Sequence, residues 1–72
     1  MVKNKLMNLR QTGGFDDYLY KFKELANEAN MREEDLLLMF SNGLKQRAKF
    51  EVMVREPKTL VEAYVIASKM EQ

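Results

Sequence analysis

The chain has 72 residues, 46% of them hydrophobic and 32% charged, with 12 Lys and Arg against 11 Asp and Glu. A chain of that length makes one domain with a marginal core, and its composition lies outside the low-hydrophobicity, high-charge range of disordered segments. The sequence contains no Cys and no His, which excludes disulfides, thiolate or imidazole metal sites and the usual nucleophile–base pairs, so a partner chain or neighbouring domain is the expected source of extra stability.

The periodicity predicts a first helix from Val2 to about Gln11, with Val2, Leu6 and Leu9 on one side. Thr12, Gly13 and Gly14 end it, since consecutive glycines are costly in a helix and natural in a turn. A second helix is predicted from about Phe15 to Ala29. Its apolar positions are Phe15, Tyr18, Leu19, Phe22, Leu25, Ala26 and Ala29, spaced to share one face. Asp16 and Asp17 fall in its first turn, where carboxylates favour the positive end of the helix dipole.

Asn30 is expected to cap a third helix, with Glu33 completing a capping box; Arg32 is the other boundary. Leu36, Leu37, Phe40 and Leu44 form its inward stripe, and Asn42 and Gly43 mark its end. Leu38 and Met39 point partly away from that stripe. A fourth helix is predicted over about Lys45 to Arg55, with Ala48, Phe50, Met53 and Val54 as its apolar face. It closes before Pro57, because the residue preceding a proline avoids helical geometry. Thr59 caps a fifth helix and Glu62 completes another capping box. Leu60, Ala63, Tyr64, Ala67 and Met70 form its inner stripe, while Val61, Val65 and Ile66 widen the apolar arc beyond what a lone domain needs. Phe50 to Val54 could pass for a strand, but a lone strand has nothing to pair with. The expected fold is therefore all-α, a compact bundle of about five short helices forming one domain over residues 1–72.

Charge is segregated along the chain. Lys3, Lys5 and Arg10 precede residue 15 without any acid, residues 15–35 are acidic, and Lys45, Arg47, Lys49, Arg55 and Lys58 form a second basic stretch. Solvated helix faces of alternating sign account for this pattern; complementarity between neighbouring subunits is the sharper alternative. The second basic stretch suits an acidic neighbour or a polyanion. Glu51 and Glu56 interrupt it, however, and a dedicated nucleic-acid-binding module usually has a strongly basic face. Asp16–Asp17 and Glu33–Glu34–Asp35 lie in first turns, where dipole stabilisation explains them. The Gly13–Gly14 pair lacks the spacing and the preceding strand of a phosphate-binding loop. No catalytic, cofactor-binding or metal-binding residue is assigned, and no enzymatic activity is expected. No apolar run approaches the ~20 residues that span a bilayer, so no membrane partner is expected either.

The segment LRQTGGFDDYLYKF, from Leu9 to Phe22, resembles the major homology region of retroviral and retrotransposon Gag capsid proteins. That motif is a Gln–Gly element followed by a helix of the type F-x-D-Y-x-x-R/K-F. The matching positions are Gln11, Gly13 or Gly14, Phe15, Asp17, Tyr18, Lys21 and Phe22. Leu36 to Leu44 (LLLMFSNGL) is similar to the L-x-x-x-F-x-x-G-L stretch of gypsy-class retrotransposon Gag. Pro57-Lys58-Thr59-Leu60 with Glu62-Ala63 is similar to the P-x-T-L-x-E-A opening of that family's last helix. Thr12 is inserted in the Gln–Gly element. Arg32 stands where the family often has a Ser cap, which moves the expected start of the third helix toward Asn30.

The resemblance implies a capsid C-terminal domain, from a gypsy-class element or a host gene domesticated from one, that drives dimerisation and shell or lattice assembly. It also implies a hydrogen-bonding network that includes Gln11 and Lys21, and a two-fold contact through the helix that follows the homology region. Here that is the third helix, whose outward Leu38 and Met39 are flanked by Glu34, Asp35 and Asn42. The implied partners are a second copy and an adjacent capsid N-terminal domain, in cytoplasmic capsid-like particles. The zinc knuckle that binds RNA in Gag is not in this sequence, so direct RNA binding is not expected of it. SCAN-type dimerisation domains of transcriptional regulators resemble the same capsid fold, and a nuclear dimerisation module is the first alternative; a helical nucleic-acid-binding module using Lys45 to Lys58 is the second.

Overall fold

The computed structural model describes residues 2–70, with side chains from Asn4 onward; Val2 of the first predicted stripe and Lys3 of the first basic stretch lie outside the described side chains. Among the described residues five helices follow one another: α1 (Val2–Asn8), α2 (Phe15–Ala29), α3 (Glu33–Gly43), α4 (Gln46–Arg55) and α5 (Leu60–Met70). There is no strand among the described residues. The fold is the all-α, capsid C-terminal-domain-like bundle that the sequence predicts.

α2 has the predicted bounds, and its stripe buries Phe15, Tyr18 and Phe22. The first helix is shorter than predicted. It stops at Asn8, and Gln11 lies in an extended segment where its N–H donates to the Gly43 carbonyl at 2.7 Å. That tertiary bond holds the segment out of the helix.

Asn30 does not cap α3, because it terminates α2 instead. Its backbone is left-handed (φ 53°, ψ 47°), a region that Asn tolerates better than most residues. α3 starts after an extended Arg32 without a side-chain cap. Glu33 accordingly serves another helix, its carboxylate accepting the Leu60 N–H at 2.9 Å where α5 begins.

The predicted inner face of α4 is the largest correction. Ala48 and Val52 are buried, whereas Phe50, Met53 and Val54 are 66%, 60% and 58% exposed. In helix geometry Ala48 and Phe50 lie about 200° apart and cannot both face the core. Ala48 and Val52, one turn apart, are the α4 positions that do, beside the buried Leu44 at the end of α3. α4 ends where Glu56 turns left-handed (φ 49°, ψ 61°) and donates its N–H to the Val52 carbonyl at 3.1 Å.

The start of α5 is close to the sequence expectation. Thr59 Oγ1 accepts the Glu62 N–H at 3.2 Å. The return bond reaches one residue further back than a capping box, with Glu62 Oε1 accepting the Lys58 N–H at 3.2 Å.

α1 packs on α2 and α3, α3 packs on α4 and α5, and α4 packs on α5. The Cα extents are 31 × 26 × 15 Å. The thinnest dimension admits only two layers of helices at the usual spacing of ~8–10 Å, so a large share of the helical surface faces solvent. That leaves room for contacts around a small core.

Candidate assembly surface

The homology segment and the end of α3 are locked together. Gln11 is 7% exposed. Its main chain holds Gly43, and its Oε1 accepts the Lys45 N–H at 3.2 Å, spanning the α3–α4 turn. The Tyr18 hydroxyl donates to the Phe40 carbonyl at 2.8 Å. Phe15, Tyr18 and Phe22 surround the Phe40 ring, with centroids 6.4, 5.6 and 5.1 Å away. Gln11, Phe15, Tyr18 and Phe22 are thus brought together. Gly13 is exposed but joins the group, its carbonyl accepting the Gln11 Nε2–H at 3.5 Å; Gly14, Asp17 and Lys21 are exposed, and among the described residues Lys21 makes no bond to this group.

Gly43 belongs with the buried set, although sequence reasoning took it only as a helix end. Any Cβ there would press on the Tyr18 hydroxyl and lie 2.5 Å from the Leu9 carbonyl oxygen. The signal was present as the fixed glycine of the L-x-x-x-F-x-x-G-L stretch. Periodicity does not show it, because the requirement is a missing side chain.

Burial pushes the Tyr18 phenol well above its usual value of 10.0; Arg10 opposes the shift and Tyr64 adds to it. Tyr64 is raised in the same way, mainly by burial and then by Glu33. The folded protein therefore holds these protons more tightly than the unfolded chain. Stability is full below the unfolded tyrosine pKa of about 10 and falls as pH rises above it toward the folded value. Alkaline denaturation followed by circular dichroism should show this fall, and Tyr18→Phe should flatten it. An unchanged alkaline slope in that variant would contradict the burial assigned to Tyr18.

α3 presents the residues expected at a subunit contact. Leu38 is 64% exposed; Glu34, Asp35 and Asn42 are exposed beside it. Met39 differs from expectation in degree, being half-buried and packed against the core cluster. Leu38 borders two concavities. One, of about 650 Å³, lies toward α1 and holds Asp35, Met39 and Asn42 along its α3 wall. The other, of about 280 Å³, lies toward α4 and is lined by Met53 as well as Leu38. Met53 and Phe50 line a further concavity of about 330 Å³. The apolar outer face of α4 therefore continues from Leu38, a continuity hidden from the sequence by the misjudged α4 face.

The basic stretch does not form a single face. Arg47 and Lys49 project about 200° apart on α4. Arg55 Nε pairs with Glu51 Oε2 at 2.6 Å, Lys49 is half-buried, and Lys45, Arg47 and Lys58 are exposed. Among the described residues no group of His, Cys, Asp or Glu is placed to hold a metal ion. No described helix is long and apolar enough to cross a membrane.

Residues 2–72 match the family model described as PEG10/RTL1, C-terminal capsid-like domain. Comparisons with curated proteins and with solved structures return no match.

Proposed function

We propose that this chain, which belongs to the PEG10/RTL1 C-terminal capsid-like domain family, is a subunit–subunit interaction domain that docks onto a second copy through the outer face of α3. The family is one of domesticated, gypsy-type Gag-derived domains. The observation that carries the reading is Leu38, 64% exposed in the middle of α3 and continuous with exposed Met53 on α4. Single exposed leucines are common on monomers; a leucine shared by two concavities, with Met39 also lining one and Met53 the other, is a better candidate for burial by a partner.

Charge favours a second copy as that partner. Acids cluster at the N-terminal end of α3, with Glu34 and Asp35 exposed, while Lys49 borders the concavity at Asn42. In an antiparallel, two-fold α3–α3 contact the acidic first turn of each helix approaches the far end of the other, where Lys45 and Lys49 supply the opposite charge that α3's own last turn lacks. Contacts of this kind are individually weak and gain strength when many act together in a lattice. Catalysis has no part in this reading, since the sequence supplies neither Cys nor His.

Leu38→Glu tests the proposal. Leu38 alone is changed, because Met39 packs against the core. An exposed site should cost no more than about 0.5 kcal/mol of stability, leaving a folded domain. The parent should associate in a concentration-dependent way in sedimentation experiments, and the variant should remain monomeric. Identical association in both would overturn the α3 contact.

A further inference from the structure

We propose that the groove between α1, α3 and α4 is a docking site for an acidic, leucine-bearing amphipathic helix of another protein. The groove has a volume of about 650 Å³, within the ~300–1,000 Å³ typical of ligand sites. Met7, Met31 and Met39 converge on it from α1, the α2–α3 connection and α3, alongside Leu38. Met7 is 52% exposed, and the other two methionines are half-buried. Unbranched thioethers repack around differently shaped apolar side chains, which is how Met-lined surfaces accept varied partners. The α3 wall runs through positions 35, 38, 39 and 42, one side of a helix. A partner helix laid along such a ridge presents its own anchors at i, i+3, i+4 and i+7.

The sign of the partner's charge follows from the rim. Arg10 and Lys49 both border the groove, and among the described residues Asp35 is the only acid there. The Arg10 guanidinium donates to two neutral acceptors, the Met7 carbonyl at 2.8 Å and the Leu9 carbonyl at 3.0 Å. Among the described residues, the ion pairs are Arg32–Glu34 and Arg55–Glu51, so neither groove cation is neutralised by one. An acidic flank on the ligand would complement both cations. The site shares Leu38 and Met39 with the α3 contact, so the bound helix would exclude a second copy.

The test uses the domain labelled with ¹³C at the methionine methyls and two synthetic peptides. Both peptides carry leucines at i, i+3, i+4 and i+7; one has glutamates and the other lysines at the remaining positions. The glutamate peptide should shift the Met7, Met31 and Met39 signals and bind at least about tenfold more tightly than the lysine peptide. Lys49→Glu, checked for folding by circular dichroism, should weaken the glutamate peptide about tenfold. If that variant unfolds, raising the salt concentration must weaken binding to the parent domain instead; salt-independent affinity overturns the proposal. Equal affinity for both peptides, or no movement of the three methyls with either, overturns it as well. If dilution alone moves those signals and the glutamate peptide does not, the groove belongs to a second copy; this proposal then fails and the self-association reading stands. Peptide binding by a domain that sediments as a monomer at all concentrations has the reverse consequence.

Discussion

Gly43→Ala should cost the domain about 1–5 kcal/mol, a large part of its stability, and lower its urea midpoint accordingly. Replacing glycine by alanine inside a helix normally stabilises by about 1 kcal/mol, so the expected loss must come from packing that outweighs this gain. Gly43 is buried where α3 ends against α2 and the homology segment. A methyl there would press on the Tyr18 hydroxyl and Cε1, and on the Leu9 carbonyl oxygen at 2.5 Å. A backbone oxygen cannot swing away as the end of a flexible side chain can. Relieving the clash means shifting the segment that Gln11 ties to Gly43, or displacing Tyr18 from the Phe40 carbonyl. Overpacking of this kind costs about 1–3 kcal/mol, and orphaning a buried hydrogen-bonding group costs a further ~1–3 kcal/mol. Gly13→Ala provides the control. Nothing lies within 4 Å of a Cβ placed there and its φ is not positive, so its effect should stay within about 0.5 kcal/mol. Urea midpoints for the two variants decide the matter; matching midpoints would refute the steric role of Gly43.

The two glycine sites also show where sequence reading reaches its limit. Gly13 and Gly14 stood out because two adjacent glycines interrupt a helical pattern, yet neither has a neighbour that requires the absence of a side chain. Gly43 is required by atoms from α2 and from Leu9, over 20 residues away in sequence. Helix existence was legible wherever large apolar residues recurred at helical spacing without ambiguity. α2 and α5 were assigned their correct faces, and Leu36 and Phe40 were placed inward on α3. α4 misled because its largest apolar residues are on its outer side, while its core row is the smaller Ala48 and Val52. Choosing a face by the size of its residues fails when a protein keeps bulky side chains outside. Caps were ambiguous for a different reason. Asn30 suits both a helix start and a left-handed helix end, and only the path of the chain decided between them. Of the candidate contact residues, Leu38 was legible as a surplus apolar side chain. The grooves beside it were not, since each combines residues from separate elements.

Phe40→Ala and Phe50→Ala should give opposite results, although the sequence pattern placed both rings in the core. Phe40 is fully buried and stacks edgewise or tilted against Phe15, Tyr18, Phe22 and Tyr64, with the nearest centroid 5.0 Å away. Truncating a buried phenylalanine costs about 3–5 kcal/mol, and each lost ring pair adds up to about 1 kcal/mol, less than additively. A domain of this size has about 4–11 kcal/mol in total. Phe40→Ala should therefore leave a chain that is largely unfolded or melts without a sharp transition at room temperature. Phe50 is 66% exposed on α4, and its truncation should shift stability by no more than about 0.5 kcal/mol. Parallel thermal melts followed at 222 nm read both effects; a comparable loss in the two variants would mean that α4 packs with Phe50 facing inward. The contrast also separates folding from contact. Phe40 holds α2, α3 and α5 on a single ring, so substitutions there act on every surface at once. Substitutions at Phe50, Met53 or Leu38 change only what the folded bundle presents to a neighbour.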